Sequence, residues 1–126
     1  GLLVPIVRHA DAKSLTQISA EVKDFAQRAK TKKLQPMDWE GNTFTISNLG
    51  MFGIDQFTAI VNPPDSCILA VGGIQSVPVV KNAQVVPGNI MKLTLSCDHR
   101  VVDGATGSAF LNSVKAFLES PVTMML

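Results

Sequence analysis

The sequence predicts an α/β fold, a two-layer sandwich in which helices pack on a mixed sheet. Two long stretches, near 14–30 and 104–119, repeat apolar residues at helical intervals. Cys67 to Val71 is apolar throughout, as in a strand covered on both faces. Segments 43–47 and 91–96 instead alternate, as half-buried strands do. Helical and strand patterns mixed along one chain point to helices layered on a sheet.

Taken in order, Gly1 to Val7 opens in an apolar run without an initiator Met, and residues 2–8 read as a strand. Pro5 argues for an edge or irregular position there. This start reads as a chain entered inside a domain, with a processed terminus as the alternative. Ser14 and Gln17 have capping-box spacing, and Leu15, Ile18, Val22, Phe25 and Ala29 recur helically behind them. Lys30, Lys32 and Lys33 suit the negative pole of that helix. Residues 34–42 form a connection holding Pro36, Trp39 and Gly41. In the next strand Phe44 and Ile46 share one face, and Thr43, Thr45 and Ser47 the other.

Asn48 to Gly53 is a turn-rich loop, and the apolar run Phe57 to Val61 ends at Asn62-Pro63-Pro64. After Gly72-Gly73, Val77 to Lys81 and a strand from Val85 flank a turn near Asn82, with Pro87-Gly88 expected to break the second strand early. Met91, Leu93 and Leu95 face one way. A last helix from Gly104 to Glu119 carries Phe110, Val114 and Phe117 on one seam with Leu111 and Leu118. Pro121 stops it before the apolar tail 122–126.

With 126 residues, the chain suits one domain. Its 46% hydrophobic and 17% charged content is on the apolar side for that length, which hints at faces buried against other subunits. A formal charge of +1 with no basic run argues against nucleic acid. No stretch is long and apolar enough to span a membrane, so no membrane partner is expected. Cys67 and Cys97 are too few for a disulfide framework and read as buried free thiols.

Chemistry-bearing residues concentrate in Asp98-His99-Arg100-Val101-Val102-Asp103-Gly104, between a strand end and a helix start. On residue types alone a structural account is the heavier one. Asp103 caps the helix, Asp98 and Arg100 form a surface ion pair, and His99 is a loop histidine. A metal site has less support, because Cys97, His99 and Asp103 lack the usual ligand pairs and the second histidine is the distant His9.

The same loop resembles the signature of the dihydrolipoamide acyltransferases, the core enzymes of 2-oxo acid dehydrogenase complexes. Chloramphenicol acetyltransferase shares the shorter pattern His-x-x-x-Asp-Gly. Thr43 to Gly50, the Asn62-Pro63-Pro64 turn and the ending Ser120 to Leu126 are similar to the same family, in the same order. The resemblance covers residues 1–126 as the C-terminal portion of a chloramphenicol-acetyltransferase-like catalytic domain. Lipoyl, subunit-binding and N-terminal catalytic segments are not represented.

That resemblance implies acyl transfer between dihydrolipoamide and coenzyme A, with coenzyme A as substrate, a lipoyl group carried on a domain outside this chain, and no metal. It assigns His99 as general base, its second ring nitrogen held by its own backbone carbonyl, and Ser47 as the hydroxyl donor to the oxyanion. Asp103 anchors the loop, and Gly104 is expected to permit a tight turn. Backbone at Ile60, Val61 and Asn62 is expected along the pantetheine arm. It also implies a homotrimer with sites shared between chains, built into a 24- or 60-subunit core through the apolar tail. Decarboxylase and dihydrolipoamide dehydrogenase would join through the other domains, in bacterial cytoplasm or the mitochondrial matrix. The Pro-Val-Thr-Met ending favours the pyruvate branch and an acetyl group. A catalytically silent core scaffold, a succinyl or branched-chain acyltransferase, and an alcohol acetyltransferase of the chloramphenicol type are the alternatives.

Overall fold

A computed structural model describes residues 2–125; Gly1 and Leu126, at the two ends of the sequence reading, lie outside the described residues. The chain forms two compact units, Gly1–Asn42 and Thr43–Leu126.

The first unit is built on helix α1, Leu15–Lys30. Its capping box is present in full: Gln17 N–H donates to the Ser14 hydroxyl, and the Gln17 side chain accepts from Ser14 N–H at 2.8 Å. Phe25 is buried, while Leu15 and Val22 of the expected apolar stripe stay exposed. Arg28 lies 5.1 Å over the Phe25 ring and pairs with Asp24 and Asp38. Residues 2–8 are not a strand, contrary to the sequence pattern. They have no regular structure and enter a turn at Arg8; Ile6 N–H donates to Asp38 C=O at 2.8 Å, and no neighbouring strand pairs with them among the described residues.

The second unit holds strands β1 (Phe44–Asn48), β2 (Cys67–Val71), β3 (Gln75–Lys81), β4 (Gln84–Ile90) and β5 (Leu93–Cys97), then helix α2 (Gly104–Glu119). β2 is the centre of a mixed sheet of order β1-β2-β5, parallel to β1 and antiparallel to β5. Cys67, Ile68, Leu69 and Ala70 are all buried, as the unbroken apolar run required. α2 lies on the face carrying Phe44, Leu95 and Cys97: the Phe44 and Phe110 rings are 5.6 Å apart, and Gly107 packs against Cys97 and Leu95. The helix surface that is least exposed runs through Gly107, Leu111 and Val114. Phe110, Phe117 and Leu118 are displaced to its exposed flank, so the expected phenylalanine seam is rotated.

β3 and β4 form a separate two-stranded ribbon, turned by Asn82 and Ala83, both at positive φ. Such angles match the tight turn that favours hairpins. Pro87-Gly88 does not end β4; the strand runs on to Ile90, with Pro87 directly opposite Pro78. Counting from the two-residue turn, that pair falls at a non-hydrogen-bonded position, where neither proline is asked for an N–H. Met91 lies in the short link between β4 and β5 rather than in a strand.

Candidate functional site

β5 ends at Cys97, and Asp98 closes the ladder with N–H to Ser66 C=O at 2.7 Å. His99 and Arg100 then turn, with Val101 and Val102 N–H groups both donating to the Asp98 carbonyl at 3.0 Å. Asp103 is the N-cap of α2, its carboxylate accepting from Thr106 N–H at 2.7 Å. The loop is thus pinned at both ends and displays His99 to solvent between them.

The charges beside His99 are arranged as the structural account anticipated. Arg100 donates to both Asp98 oxygens, at 2.7 Å from Nη2 and 3.0 Å from Nε. The Arg100 guanidinium, and then its backbone N–H, hold the Asp98 carboxyl down to about 2, against 3.8 ordinarily. Asp103 is also lowered, first by the backbone N–H of Thr106. Both carboxylates are therefore fixed as anions and hydrogen-bond acceptors at neutral pH. Gly104 begins α2 with no positive φ, so the tight turn expected of it is absent; a Cβ there would meet open space.

Ser47 is half-buried in β1, on the face away from α2. Its neighbour on that face, Thr45, is buried and donates its hydroxyl to the buried carboxylate of Asp65. Sequence reading missed Asp65. Its signal was weak, since an Asp after Pro63-Pro64 looks like an ordinary turn residue.

The register decides how Ser47 and His99 stand to each other. Ser47 is level with Ala70 and Thr94, whereas His99 lies beyond the row of Phe44, Cys67 and Cys97. From Thr94 to Cys97 is about 10 Å of strand, and β1 to β5 is about 10 Å across two strand spacings. One chain therefore holds the two groups at different ends of the sheet, too far apart to act on one atom.

Val61 reaches the His99 loop. With Pro63, Pro64, Asp65, Asp98 and Arg100 it lines an open cleft of about 530 Å³, a size that suits small-molecule sites. Ile60 is 91% exposed and does not line it. Asn62 anchors the turn, its carbonyl accepting from Asp65 N–H at 2.9 Å. Among the described residues, no three or more His, Cys, Asp or Glu side chains converge as metal ligands.

All of residues 1–126 match the family model of 2-oxoacid dehydrogenases acyltransferase (catalytic domain). The dihydrolipoyllysine-residue acetyltransferase component of the pyruvate dehydrogenase complex of Rickettsia bellii is 51% identical over 126 residues, all of this chain and 30% of the relative. The mitochondrial counterpart from Caenorhabditis elegans is 53% identical over 128 residues, all of this chain and 25% of the relative. The chain thus spans about a third or less of these relatives. Two solved structures superpose with a TM-score of 0.94 at 40% identity, covering all of this chain and 52% of theirs. One is the cubic core of the pyruvate dehydrogenase multienzyme complex. The other is Azotobacter vinelandii dihydrolipoamide acetyltransferase, solved to investigate a serine, a histidine and an asparagine in its catalytic mechanism. There the serine precedes the histidine by the same interval as Ser47 precedes His99, and the asparagine follows by the interval of Asp103.

Proposed function

Because this chain belongs to the 2-oxoacid dehydrogenase acyltransferase family, within its catalytic domain, we propose that it transfers an acetyl group between dihydrolipoamide and coenzyme A. The observation that carries this reading is the His99 turn, held between the end of β5 and the Asp103 cap and flanking the cleft lined by Val61 and Asp98.

Attack on a thioester needs a thiolate. A thiol near pKa ~8.5 facing an imidazole near ~6.5 makes full proton transfer uphill by roughly 2.7 kcal/mol. An imidazole that removes the proton during attack avoids populating that state, and His99 has the exposure to meet an incoming thiol. The tetrahedral oxyanion then needs a preplaced donor, which is the Ser47 hydroxyl. Asp103 serves as a positioning residue. A carboxylate lowered by backbone N–H groups is a poor proton carrier near pH 7, and the asparagine at the matching interval in the Azotobacter enzyme could not carry one either.

Since one chain separates Ser47 from His99, the working site takes His99 from one subunit and Ser47 from its neighbour. A cyclic homotrimer supplies that contact in every subunit, and further assembly through the tail gives a multi-subunit core. The tail fits such a role: Val122 is 71% and Met125 84% exposed in this chain, which is unfavourable in water without a cover. Acetyl is the acyl group favoured by the named relatives.

Thiol release from acetyl-CoA by the full-length protein, with dihydrolipoamide and separately with chloramphenicol as acceptor, tests the reading. Release with dihydrolipoamide alone, lowered about 10²–10⁴-fold by His99→Ala, is expected. Release with chloramphenicol alone, or equal activity without His99, would contradict it.

A further inference from the structure

Cys67 and Cys97 take no part in acyl transfer, yet they stand directly opposite each other on β2 and β5, sulfurs 3.5 Å apart. Both are free thiols. Asp98 N–H bonds to Ser66 C=O, and Gly72 N–H to Lys92 C=O. The hydrogen-bonded rows of this antiparallel pair are therefore 66/98 through 72/92, alternating, and Cys67/Cys97 is a non-hydrogen-bonded row between two of them. Such rows bring Cα atoms to about 4.5 Å with both side chains on one face, within the ~4.4–6.8 Å a disulfide spans. Only side-chain rotation separates the thiols from a bond.

The surroundings select what can happen there. Cys67 is buried and Cys97 partly open to solvent. α2 lies against the pair: a Cβ on Gly107 would lie 3.4 Å from the Cys97 sulfur, an ordinary van der Waals contact. Cys97 is therefore the thiol that a small oxidant reaches first, and Cys67 the one beside it that can close the bond.

We infer that Cys67 and Cys97 are an oxidisable dithiol, converted by a small hydroperoxide into a cross-strand disulfide. The Cys97 sulfur attacks the peroxide: an S–O bond forms, the O–O bond breaks, and water or an alcohol leaves with the thiol proton. Cys97 is then a sulfenic acid. The Cys67 sulfur attacks it, the S–S bond forms, the S–O bond breaks, and hydroxide departs as water with the Cys67 proton. Two thiols are oxidised by two electrons and one peroxide is reduced. Burial pushes the Cys97 thiol up, which slows the first step and keeps the pair reduced at low peroxide. The bond would tie the central strand to the end of β5, two residues before His99. This inference is independent of the acyl-transfer reading.

The test exposes the full-length protein in its native assembly to hydrogen peroxide, traps thiols with N-ethylmaleimide under denaturing conditions, and digests with trypsin without reductant. Cleavage after Lys81 and Lys92 places the two cysteines on separate peptides. The expected product is those peptides joined, lighter by two hydrogen atoms than their sum and separated by dithiothreitol. In Cys67→Ser, Cys97 should accumulate as a dimedone-trappable sulfenic acid or a sulfinic acid. Recovery of both wild-type cysteines as maleimide adducts, or of Cys97 singly oxidised without the linked peptide, would overturn the inference.

Discussion

His99 leaves β5 two residues after its last paired position and has no acidic partner of its own among the described contacts, because Asp98 is committed to Arg100 and Asp103 to the helix cap. The two carboxylates shape the loop and, in the proposed reaction, leave the imidazole to the substrate thiol. Asp98 should therefore titrate near 2 when followed by carboxyl carbon NMR, and Arg100→Ala should return it toward 3.8. A folded-state value below the unfolded one means that this pair stabilises the fold above about pH 4 and ceases to do so as pH falls toward 2. An unchanged titration in Arg100→Ala would remove the guanidinium as the cause. For Ser47, loss of an oxyanion donor costs ~10²–10³ in rate. Steady-state kinetics of Ser47→Ala should show that drop in kcat with little change in KM, and an unaltered kcat would end its catalytic assignment.

At the scale of elements, the His99 loop depends on α2 starting where it does. Replacing a capping Asp by Ala costs about 1 kcal/mol, and Asn caps nearly as well as Asp. Asp103→Ala should lower the urea midpoint accordingly while Asp103→Asn stays close to the parent in both stability and turnover. A large loss of turnover in Asp103→Asn would instead make the charge itself essential. The helices were legible in the sequence because their signals are local: Ser14 and Gln17 complete their box, and α2 runs from Gly104 to Glu119 as its pattern required. β2 was equally plain from its unbroken apolar run. Residues 2–8 misled because an apolar run needs a pairing partner to become a strand, and no periodicity records whether one exists. Pro87 misled for the opposite reason, since its place in an unbonded row depends on the register with Pro78. Asp65 lay beyond reach because its meaning comes from Thr45, brought to it by the fold.

For the whole molecule, the proposed assembly gives the exposed apolar surface and the divided site one explanation. Ile46 and Ile60 are 65% and 91% exposed, and the tail adds Val122 and Met125, apolar surface that the proposed assembly would cover. In the proposed shared site Ser47 and His99, set at different ends of the sheet, need the same neighbours. Sequence could name both residues through resemblance, but only the strand register shows that a single chain keeps them apart. Co-expression of full-length His99→Ala and Ser47→Ala subunits in one assembly tests this division most directly. If sites form between subunits, random mixing in a cyclic trimer places an intact His99 against an intact Ser47 at about a quarter of the interfaces, and acetyl transfer returns to about that fraction of the parent. If each chain carried its own complete site, every subunit in the mixture would lack one group, and activity no higher than that of the separate variants would contradict the shared site.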